Sequence, residues 1–153
     1  MLGFLPSAPA TSAVVDPRHD PAPLSQVPAL LAAGAAAYNE GRFWDAHEAW
    51  EESWHALRGA HDDEAAGYVR GLILVTAAFE NAKRGKEAGF KRQMAEGLHA
   101  LWTHSAAAER LGIANSAAWP TAVAAVYVDA CRRRRWTWWQ TSAWQAPPLA
   151  LTP

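Results

Sequence analysis

Sulfur chemistry is almost missing from this chain. One cysteine, Cys131, stands among 153 residues, so neither an intramolecular disulfide nor a cysteine-based zinc cluster can form. β-Branched residues are sparse and alanine is abundant, a balance that disfavours sheet and favours helix. No apolar run approaches the roughly 20 residues a membrane-spanning helix needs. The opening Met1-Leu2-Gly3-Phe4-Leu5-Pro6 has no basic start and meets proline at once, so no secretory signal is expected. Charge of one sign is missing too. A formal net charge of -1 argues against a protein that coats nucleic acid, while leaving room for a local basic patch. These absences point to a cytoplasmic protein, and the length points to one domain able to bury a real core.

Residues 1–24 form a Pro/Ala-rich arm in which Pro6, Pro9, Pro17, Pro21 and Pro23 break any regular element. A helical bundle domain is expected over 25–135, followed by a Trp/Pro-rich tail over 136–153 packed on the bundle or on a partner. The first helix starts near Ser25 and stops before Gly41. The second runs from about Arg42 to Leu57, with Gly59 at its C-cap. The third follows an Asp62 N-cap, carries Tyr68, Leu72, Val75 and Phe79 on one face, and ends at Gly85. The fourth runs from about Glu87 to Arg110 with Phe90, Met94, Leu98, Leu101 and Trp102 as its stripe, and Gly112 lies beyond its end. Ser116 to Pro120 opens the fifth. Short links make the expected fold all-α, a bundle of about five helices arranged as antiparallel helical hairpins. The run Tyr38 to Phe43 followed by Ala46 recurs loosely as Phe79 to Gly85, Ala88 and Phe90, a weak likeness to tetratricopeptide-like helix pairs.

The chemistry is concentrated between Phe43 and His55, where histidines and carboxylates alternate with Trp44, Trp50 and Trp54. On a helical wheel with Phe43 at zero, Trp50, Trp54 and Leu57 fall within about 40°. His47 lies about 40° off Phe43, Glu51 at about 80°, Trp44 at about 100° and His55 at about 120°. His47 is therefore expected to enter the apolar interface with Glu51, four residues on, as its nearest carboxylate. Glu48 and Glu52 point away. An i, i+4 His/Glu pair can chelate one divalent metal, or it can satisfy itself as a buried polar pair. In the second case His47→Ala should cost about 1–3 kcal/mol through the unpaired neighbour.

His47-x-x-x-Glu51-x-x-Trp54 resembles the HxxxExxW signature of a prokaryotic family known as domain of unknown function family 309. The run Tyr38-Asn39-Glu40-Gly41-Arg42-Phe43-Trp44-Asp45-Ala46-His47-Glu48 is similar to the approach to that signature. Arg70-Gly71-Leu72-Ile73, then Ala77, Ala78 and Arg84-Gly85, resemble the family's second helical block. The likeness covers about residues 28 to 105. It implies an all-helical fold and metal binding through His47 and Glu51. Leu74 stands where a glutamine is common in the family, and Glu80-Asn81 where an aromatic–histidine pair is frequent, so a polar site built on those positions would be altered here.

Zinc wants three or four protein ligands. His47 and Glu51 supply a pair, and His55 is the next metal-ligand candidate, with Glu48, Asp45 and Glu80 behind it. His47-Glu48-x-x-Glu51 has Glu where a zinc-protease helix needs its second His. Glu52-x-x-His55 provides one E-x-x-H set where a di-iron bundle needs two. Trp44 and Trp54 are the candidate ligand-box aromatics beside His47 and Glu51.

The leading expectation is a binding protein holding a divalent metal or a small polar ligand. The alternative is a helical-hairpin interaction module in which His47 and Glu51 form a structural pair. With no nucleophile, phosphate loop or complete ligand set, the balance leans away from an enzyme. A homo-oligomer or protein partner is compatible with the tryptophan-rich tail. Nucleic-acid or membrane contact through Arg132, Arg133, Arg134 and Arg135 is a weaker expectation, because arginines at a helix end also serve its dipole.

Overall fold

The structure, a computed structural model, describes residues 20–133 and 146–153. Residues 1–19 of the expected arm lie outside the described residues, as do Arg134, Arg135 and the tail tryptophans Trp136, Trp138, Trp139 and Trp144. After a 3-10 turn at Leu24–Gln26 come α1 (Val27–Asn39), α2 (Phe43–Gly59), α3 (Asp63–Lys83), α4 (Glu87–Thr103) and α5 (Ala118–Arg132). The fold is an all-α bundle. None of the described helices is long and apolar enough to cross a membrane.

Each hairpin turn is built the same way. In the first, Gly41 N–H donates to the Tyr38 carbonyl and Arg42 N–H to the Ala37 carbonyl. His61 and Asp62 repeat this pattern after α2, and Gly85 and Lys86 after α3. These are Schellman caps, which need one residue in the left-handed region. Gly41 (φ 77) and Gly85 (φ 72) supply it without strain, but after α2 the residue is His61 (φ 58). The expected cap at Gly59 is thus corrected. Gly59 is the last residue of α2, because Asp62 must stand directly before α3, where its carboxylate accepts from Ala65 N–H at 3.1 Å.

The core is centred on aromatic side chains. Tyr38 packs against Phe43, Trp50, Phe79 and Trp119 at centroid distances of 5.7, 6.0, 6.1 and 5.8 Å. Trp50 lies directly over Gly34, where no Cβ could fit, and its indole N–H donates to the Leu31 carbonyl at 3.3 Å. The α3–α4 pair is close-packed and antiparallel: a Cβ on Gly71 would meet Leu101 at 2.9 Å, and one on Gly97 would meet Val75 at 3.0 Å.

Two features of the fourth helix differ from expectation. It ends at Thr103, not Arg110, and a 3-10 turn at Ser105–Ala107 follows. The chain bends there because His104 and Arg110 are tied to the start of α3: His104 Nδ1 lies 3.0 Å from Glu64 Oε2, and Arg110 grips both Asp62 oxygens at 2.6 and 2.7 Å. Trp102, expected on the buried stripe, is 54% exposed while Phe90, Met94, Leu98 and Leu101 are buried. The stripe turns away from Trp102 because Gly71 draws Leu101 inward.

Candidate functional site

The first turn of α2 receives Asp45, which favours the helix N-terminus, and the next turn presents His47. The buried face of this helix is Phe43, Ala46, Trp50, Ser53, Ala56 and Leu57. On the wheel that face is centred about 55° to the side of Phe43 away from His47. The large aromatics Phe43, Trp50 and Trp54 by themselves would centre it nearer His47. The small residues Ala46, Ser53 and Ala56 are themselves buried, and they extend the inward face to the side away from His47.

His47 accordingly sits at the margin of the core. Its side chain is 22% exposed and that of Glu51 is 50% exposed, with His47 Nδ1 3.9 Å from Glu51 Oε2. That separation is too long for a hydrogen bond, and Nδ1 is buried without a hydrogen-bond partner. Trp44 covers the imidazole in a parallel stack, with centroids 5.2 Å apart and planes within 2°. Trp44 itself is 54% exposed. The arrangement is a half-open slot: one ring nitrogen faces inward, a carboxylate stands at the rim, and an indole shields one side.

The other residues expected at the site are placed around this slot, not inside it. Trp54 packs against the core while remaining partly buried, and the Arg58 guanidinium lies 5.1 Å above its ring, a cation–π contact. His55 is exposed and meets Trp54 edge-on at 4.9 Å. Glu48 and Glu52 are exposed. Among the described residues, no three His, Cys, Asp or Glu side chains converge as a metal-holding group. The structure brings together His47, Glu51 and Trp44, and leaves His55 apart.

The model of the family described as Domain of unknown function (DUF309) matches residues 31–93. Over residues 31–93 the chain is similar to that family. The DUF309 segment runs from within α1 to the first turns of α4, so it contains the whole His47 slot and both hairpins that position it. No curated protein and no solved structure matches the chain.

A second group of polar side chains straddles the edge of the DUF309 segment and was not foreseen. Arg70 from α3 and Glu96, His99, Thr103 and His104 from α4 and its end line an open cleft of about 280 Å³. The His104 ring lies directly over Gly67, which lets its Nδ1 reach Glu64. The one sequence signal for this cleft is the i, i+4 pair His99/Thr103, whose side chains lie 3.5 Å apart. The remainder depends on the α3–α4 register. At the far end, Arg132 and Arg133 are exposed at the close of α5, and Arg133 donates to Asp129 at 3.0 Å.

Proposed function

We propose that this bundle is a ligand-binding protein whose slot at His47 and Glu51, bordered by Trp44 and Trp54, takes a divalent metal ion or a small polar ligand. One observation carries the proposal. A buried imidazole nitrogen without a hydrogen-bond partner is costly, and here it lies beside a carboxylate that does not satisfy it. A divalent ion bridging Nδ1 and a Glu51 oxygen would satisfy both, with water or the ligand's own atoms completing its shell. Fixing the ring by stacking on Trp44 would lower the ordering cost of binding.

The test is metal analysis and thermal melting of untagged protein in Zn²⁺ and Mn²⁺, alongside His47→Ala and Glu51→Gln. Wild type should take up stoichiometric metal and melt higher, while both variants should do neither. If no metal is retained and none raises the melting temperature, the metal reading is lost. The alternative role, a helical-hairpin interaction module, draws support from the large exposed indoles of Trp44 and Trp102, since exposed tryptophans are enriched where proteins meet.

A further inference from the structure

The segment Ala146–Pro153 lies in extended form along the bundle, and its hydrogen bonds to the bundle are made through its main chain. Tyr38 Oη donates to the Pro147 carbonyl at 2.7 Å and Trp119 Nε1 donates to the same oxygen at 3.0 Å. Asn39 pairs with both polar groups of Leu149: its Nδ2 donates to the carbonyl and its Oδ1 accepts the N–H, each at 2.9 Å. Asn115 spans the residues on either side of Leu149, donating to the Pro148 carbonyl at 3.1 Å and accepting Ala150 N–H at 2.9 Å. Main-chain bonds from Ala114 N–H to the Ala150 carbonyl and from Thr152 N–H to the Gly112 carbonyl complete the set, at 2.8 and 2.7 Å. An antiparallel bridge joins Ile113 and Leu151.

The side chains of this segment alternate. Pro147, Leu149 and Leu151 face inward, and Leu149 is 3% exposed, while Pro148, Ala150 and Thr152 face out. Main-chain hydrogen bonds with pockets for every second side chain are how proteins bind extended peptides. Such contacts do not depend on which chain supplies the peptide.

We propose that the groove formed by Tyr38, Asn39, Ile113, Asn115 and Trp119 is a peptide-recognition site for an extended segment of another protein, and that Ala146–Pro153 occupies it as a built-in competitor. The bonding pattern sets the ligand's chemistry. At the first two positions only carbonyls are used, so prolines fit, and their restricted backbone lowers the ordering cost. The third position needs a buried leucine with a free N–H. The fourth needs any residue but proline, the fifth an aliphatic side chain, and the sixth a free N–H. The expected partner presents Pro-Pro-Leu-x-aliphatic in extended form.

The test uses the full chain and a fluorescein-labelled peptide of sequence Ala-Pro-Pro-Leu-Ala-Leu-Thr-Pro, read by fluorescence polarisation. Leu149→Asp in the protein should empty the groove and tighten peptide binding roughly ten-fold, because a larger fraction of molecules becomes competent. Adding Asn39→Ala and Asn115→Ala should abolish binding, and a peptide with aspartate in place of its first leucine should not bind. Hydrogen exchange on the unaltered chain gives an independent reading: excess peptide should speed exchange at the amides of Leu149, Ala150 and Thr152. Flat polarisation with both wild type and Leu149→Asp, together with unchanged exchange, would overturn the proposal. So would concentration-dependent dimers of the wild-type chain that excess peptide fails to dissociate, since the occupant would then be a second copy.

Discussion

Asn39 and His47 stand eight positions apart in sequence and meet opposite fates. Asn39 closes α1 with both halves of its amide engaged by Leu149. His47, in the second turn of α2, keeps a buried ring nitrogen with no partner. Tyr68 shares that condition through its hydroxyl. A polar group withdrawn from water gains little when paired and costs much when left alone. The satisfied region therefore secures the fold, while the unsatisfied one carries a cost that no described residue offsets.

The sharpest way to break this contrast is to disrupt the satisfied side. Asn39→Ala strands both the N–H and the carbonyl of Leu149 and should cost about 1–3 kcal/mol in urea unfolding. A loss near zero would mean that the strapped segment contributes nothing to the fold.

Asp62 comes next. Its substitution by alanine removes the α3 cap and should cost about 0.5–2 kcal/mol; the exposed pair with Arg110 adds little. The Arg110 guanidinium, helped by the Ala65 N–H, holds the Asp62 carboxyl below the usual carboxylate range against the opposing effect of burial. A depressed folded value means this contribution is present above the ordinary value and lost as pH falls through the depressed one. Acid titration of stability should therefore be shallower in Asp62→Ala than in wild type.

On the unsatisfied side the sign reverses. Tyr68→Phe removes a buried hydroxyl that bonds to nothing and should raise stability by up to about 1 kcal/mol. Burial pushes the Tyr68 phenol up to about 12. Because the folded value exceeds the unfolded one near 10, its contribution is intact below about pH 10 and is lost as pH rises through about 12. Phenolate absorbance of the folded protein should accordingly lack Tyr68 until unfolding begins. A destabilised Tyr68→Phe would reveal a partner for the hydroxyl and weaken the contrast.

The smallest effect is expected at His47. Because Glu51 is half in water and bonded to nothing on the ring, His47→Ala should change stability by no more than about 0.5 kcal/mol without ligand. This replaces the 1–3 kcal/mol that a mutually satisfied buried pair would have implied. Equal losses at His47 and Asn39 in the same urea assay would erase the distinction between the two regions.

The helices and most of their ends were legible because their causes are local. The turns at Gly41 and Gly85, the cap at Asp62 and the stripe of Tyr68, Leu72, Val75 and Phe79 each lie within a few residues of what forms them. The orientation of α2 was legible only to within about half a quadrant, because Ala46, Ser53 and Ala56 carry no hydrophobic signal strong enough to compete with Trp54. Trp44 and Trp102 look like core residues by type and are exposed by position.

Local chemistry thus specified an all-α chain, its hairpin turns, and the nearness of His47 to Glu51, since four residues on a helix are neighbours wherever the helix goes. The distance of 3.9 Å and the missing partner of Nδ1 depend on side-chain rotamers, which spacing along one helix leaves open. The Arg70–His104 cleft needed two helices brought into register by Gly71 and Gly97. The Asn39 and Asn115 clamps join positions more than thirty to a hundred residues apart, and no local periodicity can encode a bond whose halves meet only when the bundle has closed.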